Sequence, residues 1–304
     1  ENIEYVNKVQ GVIDKLKNDG GVVQFLGVFW AMLPNEFPIY WQGKPWSEKT
    51  CPNPVSDRLA YIKWLELNKK AAKLTAELFP DIQNFETWNE AEMMHEEDGP
   101  LSKPDGSNYS VNEKALILSD LMYYYSLGIK EASPLNKLTT PSICCCQIVD
   151  KDFDVTSPNF LNAIYEKIYD DVPVSGFDSL DKNPDHYFEI INIHPYLDRG
   201  TTLSNWYSYV ESFHNLSVEY NDNGTEIWIT EFGFQTNRVP DSVNKMLAIL
   251  TQANAIDSLT ELYFYTIHDS SNDPNDDMWG LYTYDGEIKD MGREVKRFIE
   301  ENAK

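Results

Sequence analysis

Phe85-Glu86-Thr87-Trp88-Asn89-Glu90 closes a segment that starts at Ile82, and the segments on either side of it decide the fold. Ahead of it, Leu59, Ile62, Leu65, Ala72 and Leu74 recur on one face of a helix predicted over 58–78, and 82–88 then reads as a strand. Upstream, Ile3, Val6, Ile13 and Leu16 lie near one face of a helix that stops at Asn18-Asp19-Gly20-Gly21. A buried strand is predicted over 22–29, followed by an aromatic, Pro-rich loop over 30–57. Downstream, helices over 112–127, 160–169, 204–219, 242–258 and 293–302 alternate with strands over 142–149, 188–194, 226–230 and 262–267. Strands that alternate with helices predict an α/β fold, a parallel sheet covered by helices. Six strands are recognisable. No Gly/Ser linker or repeat divides the chain, so residues 1–304 are expected to form one domain.

Composition narrows the partners. The 304 residues are 42% hydrophobic and 24% charged, enough to bury a full core. Lys and Arg number 25 against 49 Asp and Glu, a formal charge of −24 that repels phosphate backbones and anionic membrane surfaces. Nucleic acid and membrane are therefore not expected as partners, and no stretch is apolar enough to span a bilayer. Aromatics make up 13% of the chain, many of them in loop-like stretches such as Phe29-Trp30, Tyr40-Trp41 and Trp279. Flat rings suit the CH faces of sugars, although most aromatics in any chain are packing residues. Cys51 and the run Cys144-Cys145-Cys146 have neither zinc-site spacing nor the density of a disulfide framework, and are read as thiols, with the run in a buried strand. The compartment stays open.

Two acidic residues carry the chemistry. Glu90 follows one predicted strand, and in Ile227-Trp228-Ile229-Thr230-Glu231-Phe232-Gly233 a second Glu does the same. In a (β/α)8 barrel the carboxyl ends of the strands converge on one mouth, where active sites lie. Glycosidic bond cleavage with retention uses two carboxyls about 5–5.5 Å apart, one ionised to attack the anomeric carbon and one protonated to release the leaving oxygen. Taken singly, either Glu could be a rim or helix-cap residue. Together they predict a retaining site with Glu90 as acid/base and Glu231 as nucleophile.

Trp88-Asn89-Glu90 and Thr230-Glu231-Phe232-Gly233 resemble the motifs of the large barrel clan of retaining glycosidases, which place the acid/base after the fourth strand and the nucleophile after the seventh. Ala91 stands where the clan usually has Pro. His194-Pro195-Tyr196 resembles the clan's His-x-Tyr element, which implies that Tyr196 bonds the nucleophile carboxylate and that His194 lies near the acid/base or the leaving sugar. The same resemblance implies that Asn89 holds the sugar 2-hydroxyl. Tyr265 falls where a Trp commonly floors the sugar subsite, and Trp30 and Trp279 are further candidate sugar-binding residues. The early segment Gly27-Val28-Phe29-Trp30-Ala31-Met32-Leu33-Pro34 is most similar to glycosidase family 39, the β-xylosidase and α-L-iduronidase group. That resemblance implies a TIM (β/α)8-type barrel of which the third to eighth strands are present, with an upstream segment or a second chain completing it.

The expected substrate is a β-linked oligo- or polysaccharide. An endo-acting glycanase and a carbohydrate-binding pseudoenzyme remain as alternatives. No cofactor and no metal are expected: the acidic loop Ser271 to Asp277 lacks the ligand-Gly-Glu spacing of a calcium loop.

Overall fold

A computed structural model describes residues 2–18, 26–29, 52–90, 109–144, 159–169, 179–197, 202–273, 276 and 278–302. In chain order the elements are α1 (Asn2–Asn18), β1 (Leu26–Phe29), α2 (Arg58–Leu78), β2 (Asn84–Thr87), α3 (Val111–Ala132), β3 (Lys137–Thr139), β4 (Ile143–Cys144), α4 (Asn159–Tyr169), β5 (Ile190–His194), α5 (Trp206–Glu219), β6 (Glu226–Phe232), α6 (Ser242–Ala253), β7 (Leu259–Phe264) and α7 (Asp290–Asn302). The fold class is the α/β class expected, with the parallel strands of a partial (β/α)8-type barrel. Two compact units divide it, Glu1–Ser142 with Phe160–Ile190 and Ile143–Asn159 with Ile191–Lys304.

In the first unit β1, β2 and β3 form a parallel ladder, Leu26 opposite Asn84 and Asn84 opposite Lys137. Parallel strands covered by helices are buried on both faces, and all four residues of β2 are buried. Helix α3 begins at a capping box: the Ser110 hydroxyl accepts from Glu113 N–H and the Glu113 carboxylate accepts from Ser110 N–H, so two end donors are satisfied reciprocally. It ends at Ser133, which is extended because Pro134 follows. Helices α2 and α3 pack so closely at Gly128 that a Cβ there would sit 2.3 Å from the Lys69 carbonyl oxygen. Beneath them lies a buried ion pair. Lys167 Nζ is 3.3 Å from Asp120 Oδ1, and the Tyr61 hydroxyl donates to Asp120 Oδ2 over 2.9 Å. Burial pushes the Asp120 carboxyl above the usual range, and the Lys167 charge and the Tyr61 bond pull against that shift.

In the second unit β4 pairs with β5, Ile143 opposite Ile193, and β6 pairs with β7 with two register irregularities. All of β5 is buried, whereas no residue of β7 is fully buried. Among the described residues β7 is bonded to β6 alone.

The strand expected over 142–149 differs. Its described part is β4, and a further strand, β3, precedes it. Thr139 faces Ile190 and Ile143 faces Ile193, so one extra residue intervenes on the β3–β4 side. Pro141, which has no N–H to give a ladder, stands at that irregularity. Both short strands pair with β5 and so share one strand position, which leaves six positions among the described residues. Helix α3 runs on to Ala132 rather than stopping near 127, and α6 stops at Ala253. Cys144 is disulfide-bonded, which corrects the reading of the cysteines as thiols. Pairing depends on Cα atoms meeting at about 4.4–6.8 Å, which sequence spacing does not report.

Candidate active site

Glu90 leaves β2 three residues after its last paired residue, Thr87. The turn between them is unusual: Trp88 has φ 74° and Glu90 φ 44°, left-handed values that cost a non-glycine residue energy and persist only where surroundings hold them. Ser142 holds them. Its N–H donates to the Trp88 carbonyl at 3.1 Å, and its hydroxyl accepts from Glu90 N–H at 2.9 Å. The same hydroxyl donates to Asn89 Oδ1 at 3.3 Å. With its oxygen turned to Ser142, Asn89 has the amide NH2 as its remaining polar end, a donor suited to a sugar hydroxyl. Trp88 is buried, and Asn89 and Glu90 are half-buried. Ser142 did not stand out in the sequence. Its only mark there is its place beside Pro141 at the start of an apolar run.

In the second unit Glu231 is the sixth residue of β6 rather than the residue beyond its end, and Phe232 closes the strand. The Tyr196 hydroxyl donates to Glu231 Oε2 over 2.9 Å. His194, fully buried at the end of β5, has Nδ1 3.8 Å from the same oxygen and Nε2 2.9 Å from Thr230 Oγ1. Thr230 in turn meets Asn192 Oδ1 at 2.7 Å from its hydroxyl and 3.3 Å from its N–H. Trp279 stands edge-on to both Tyr196, at 5.4 Å between ring centroids, and Tyr265, at 5.9 Å. Gly233 permits this packing, because a Cβ on it would lie 2.1 Å from the Tyr265 carbonyl oxygen. Tyr265 is 44% exposed, an open ring beside the half-buried Trp279.

The backbone of Trp279 is held from behind. Gly280 N–H donates to Asp269 Oδ1 at 2.7 Å, and Lys289 Nζ reaches both Asp269 oxygens at 2.9 and 3.0 Å. Asp269 and Lys289 were not among the residues singled out from the sequence, since an acidic residue and a lysine twenty positions apart carry no motif.

Within the second unit, then, Glu231, His194, Tyr196, Trp279 and Tyr265 are brought into one cluster, and within the first Asn89 and Glu90 share the Ser142 anchor. Trp30 lies outside the described residues. Among the described residues no helix is long and apolar enough to cross a membrane.

Parallel strands with chemistry-bearing residues at their carboxyl ends define an enzyme of the barrel class. The chain belongs to the glycosyl hydrolase catalytic core family, whose profile matches residues 106–294, more than half of its length. Among solved structures it is similar to a β-glucosidase from Thermotoga maritima in complex with galacto-hydroximolactam. The identity there is 15% and the TM-score 0.62, over 99% of this chain and 78% of that one. It is also similar to the AHE enzyme from Alicyclobacillus herbarius, with 12% identity, TM-score 0.61, and 100% and 78% coverage. A glucosidase from Croceicoccus marinus matches at 11% identity and TM-score 0.50 over 82% of this chain, which spans about half of that protein, 48%. No curated protein matches the sequence.

Proposed function

We propose that this glycoside hydrolase core acts with retention of configuration on a β-linked oligo- or polysaccharide, with the xylosidase-like specificity of family 39. Glu231 attacks the anomeric carbon while Glu90 protonates the departing oxygen. Water, deprotonated by the same Glu90, then breaks the glycosyl–Glu231 ester and restores both carboxyl groups. Asn89 donates to the sugar 2-hydroxyl, where hydrogen bonds tighten in the transition state. His194 lies beside the nucleophile, and Tyr265 and Trp279 offer ring faces and edges to the sugar, with Trp30 assigned to the same role by resemblance.

The observation that carries this reading is the Tyr196 hydroxyl bond to Glu231 Oε2 at 2.9 Å. A tyrosine aimed at a strand-end carboxylate orients an anion; a mere rim or cap glutamate needs no such partner. A fluoro-sugar of the xylo series, incubated with the protein and followed by peptide mapping, is expected to label Glu231. Label on any other residue, or an inverted anomer in the first product seen by NMR, sinks the assignment.

A further inference from the structure

Asn192 and His194 are alternate residues of β5, so their side chains leave the same face of that strand, and both are fully buried. Thr230 belongs to β6, the neighbouring strand. The hydrogen bonds that meet at Thr230 have fixed directions. Its backbone N–H can only donate, and its partner at 3.3 Å is Asn192 Oδ1, so the end of the amide that faces Thr230 is the oxygen and not the nitrogen. That oxygen can only accept. The Thr230 hydroxyl, 2.7 Å from it, therefore points its single proton there. Its oxygen is then an acceptor toward His194 Nε2 at 2.9 Å, which requires a hydrogen on Nε2.

We infer that Asn192 and Thr230 are positioning residues that lock His194 as its Nε2–H tautomer, in which Nδ1 is the ring nitrogen without a hydrogen. Nδ1 lies 3.8 Å from Glu231 Oε2, the oxygen to which Tyr196 also donates. The arrangement thereby distinguishes the two oxygens of the carboxylate, with Oε1 the one presented for attack. This catalytic consequence rests on Glu231 being the nucleophile; the tautomer does not.

The test reads the ring directly. The protein has five histidines, and the His194 nitrogens are assigned in 15N-resolved NMR spectra by their loss in His194→Gln. At alkaline pH, where the rings are neutral, wild type is expected to show Nε2 protonated and Nδ1 bare at His194. Thr230→Val is expected to move that pattern toward a mixture of tautomers and to lower kcat about tenfold with KM little changed, the effect of losing one hydrogen bond of roughly the strength that a factor of ten requires. Thr230→Ser, which keeps the hydroxyl, restores both. A bare Nε2 in wild type overturns the inference whatever any variant does, and so does an unchanged His194 pattern in a folded Thr230→Val protein. Because the spectra need no substrate, a protein with the Nε2–H pattern that hydrolyses no glycoside defeats the functional reading alone.

Discussion

Tyr196→Phe deletes one oxygen and leaves the rest of the residue in place. The ring keeps its edge contacts with Trp279 at 5.4 Å and with His194 at 6.3 Å. The 2.9 Å donation to Glu231 Oε2 is lost. A hydrogen bond to an ionised acceptor contributes about 1.5–3 kcal/mol. The Glu231 side chain is 30% exposed, so water replaces part of the lost bond and the lower end applies, about 1.5 kcal/mol. Two effects oppose each other. A carboxylate without its donor is a slightly stronger nucleophile, but it is also free to rotate away from the line of attack. Orientation wins, because correct placement of a reacting group is worth far more than a small gain in basicity. At 1.36 kcal/mol per factor of ten, kcat/KM is expected to fall about tenfold. The assay is hydrolysis of an aryl β-xyloside, run beside thermal unfolding of the same preparations. Unfolding should move by only a few degrees, since the ring still fills its place. Full activity in Tyr196→Phe would refute the reasoning, and so would a loss of activity matched by a comparable loss of fold.

Other substitutions test other parts of the structure. Asp120→Ala removes the carboxylate 3.3 Å from the buried Lys167 Nζ and the acceptor of the Tyr61 hydroxyl, so unfolding by denaturant should show a loss of about 3–5 kcal/mol. The folded Asp120 carboxyl is raised above its ordinary value of 3.8, so its contribution to stability is fully present below that value and is lost as pH rises through the folded one. A pH series of wild type against Asp120→Ala should show that component vanish in the variant. Gly128→Ala puts a methyl group against the Lys69 backbone and is expected to cost about 1–3 kcal/mol, read as a lowered denaturant midpoint. Asp269→Ala frees Gly280 N–H and Lys289 together; if that clamp sets the Trp279 edge of the sugar site, KM should rise about fivefold while kcat changes little. Equal falls in both constants would place the clamp's effect elsewhere.

What was legible in the sequence was whatever repeats or stands alone. Helix α2 falls over 58–78 as expected, but of the inner face read from the sequence only Leu65 and Ala72 are buried; Leu59 and Leu74 are exposed, and Tyr61, Trp64, Asn68 and Ala76 make up the rest of the buried face. Glu90 and Glu231 stood out as candidates because each follows a predicted strand. The Tyr196 bond to Glu231 was expected from resemblance, and the geometry supplies it. Strand β3 was missed because Lys137-Leu138-Thr139 is too short to display a period, and the irregularity at Pro141 breaks the run that would have revealed it. Ser142, Asn192 and Asp269 escaped for another reason. Each acts on a residue distant in sequence, Ser142 on Glu90 and Asn192 on Thr230, and nothing in local composition reports a hydrogen bond made after the strands have paired.

Strand β7 offers its last lesson in colloid chemistry. Among the described residues this strand is bonded on one side and has no fully buried residue, an edge of the kind on which a second copy of the same strand could lie. Its third residue is Glu261, whose carboxyl burial and the nearby Glu226 push upward, and Tyr263, two residues on, is pushed up to about 12 by burial. A carboxylate in mid-strand makes stacking two such edges repulsive, and the formal charge of −24 keeps whole molecules apart before the edges meet. Both safeguards depend on ionised carboxyls. Acidification weakens them together, so turbidity should appear on the acid side of neutrality and be advanced toward neutral pH by Glu261→Val.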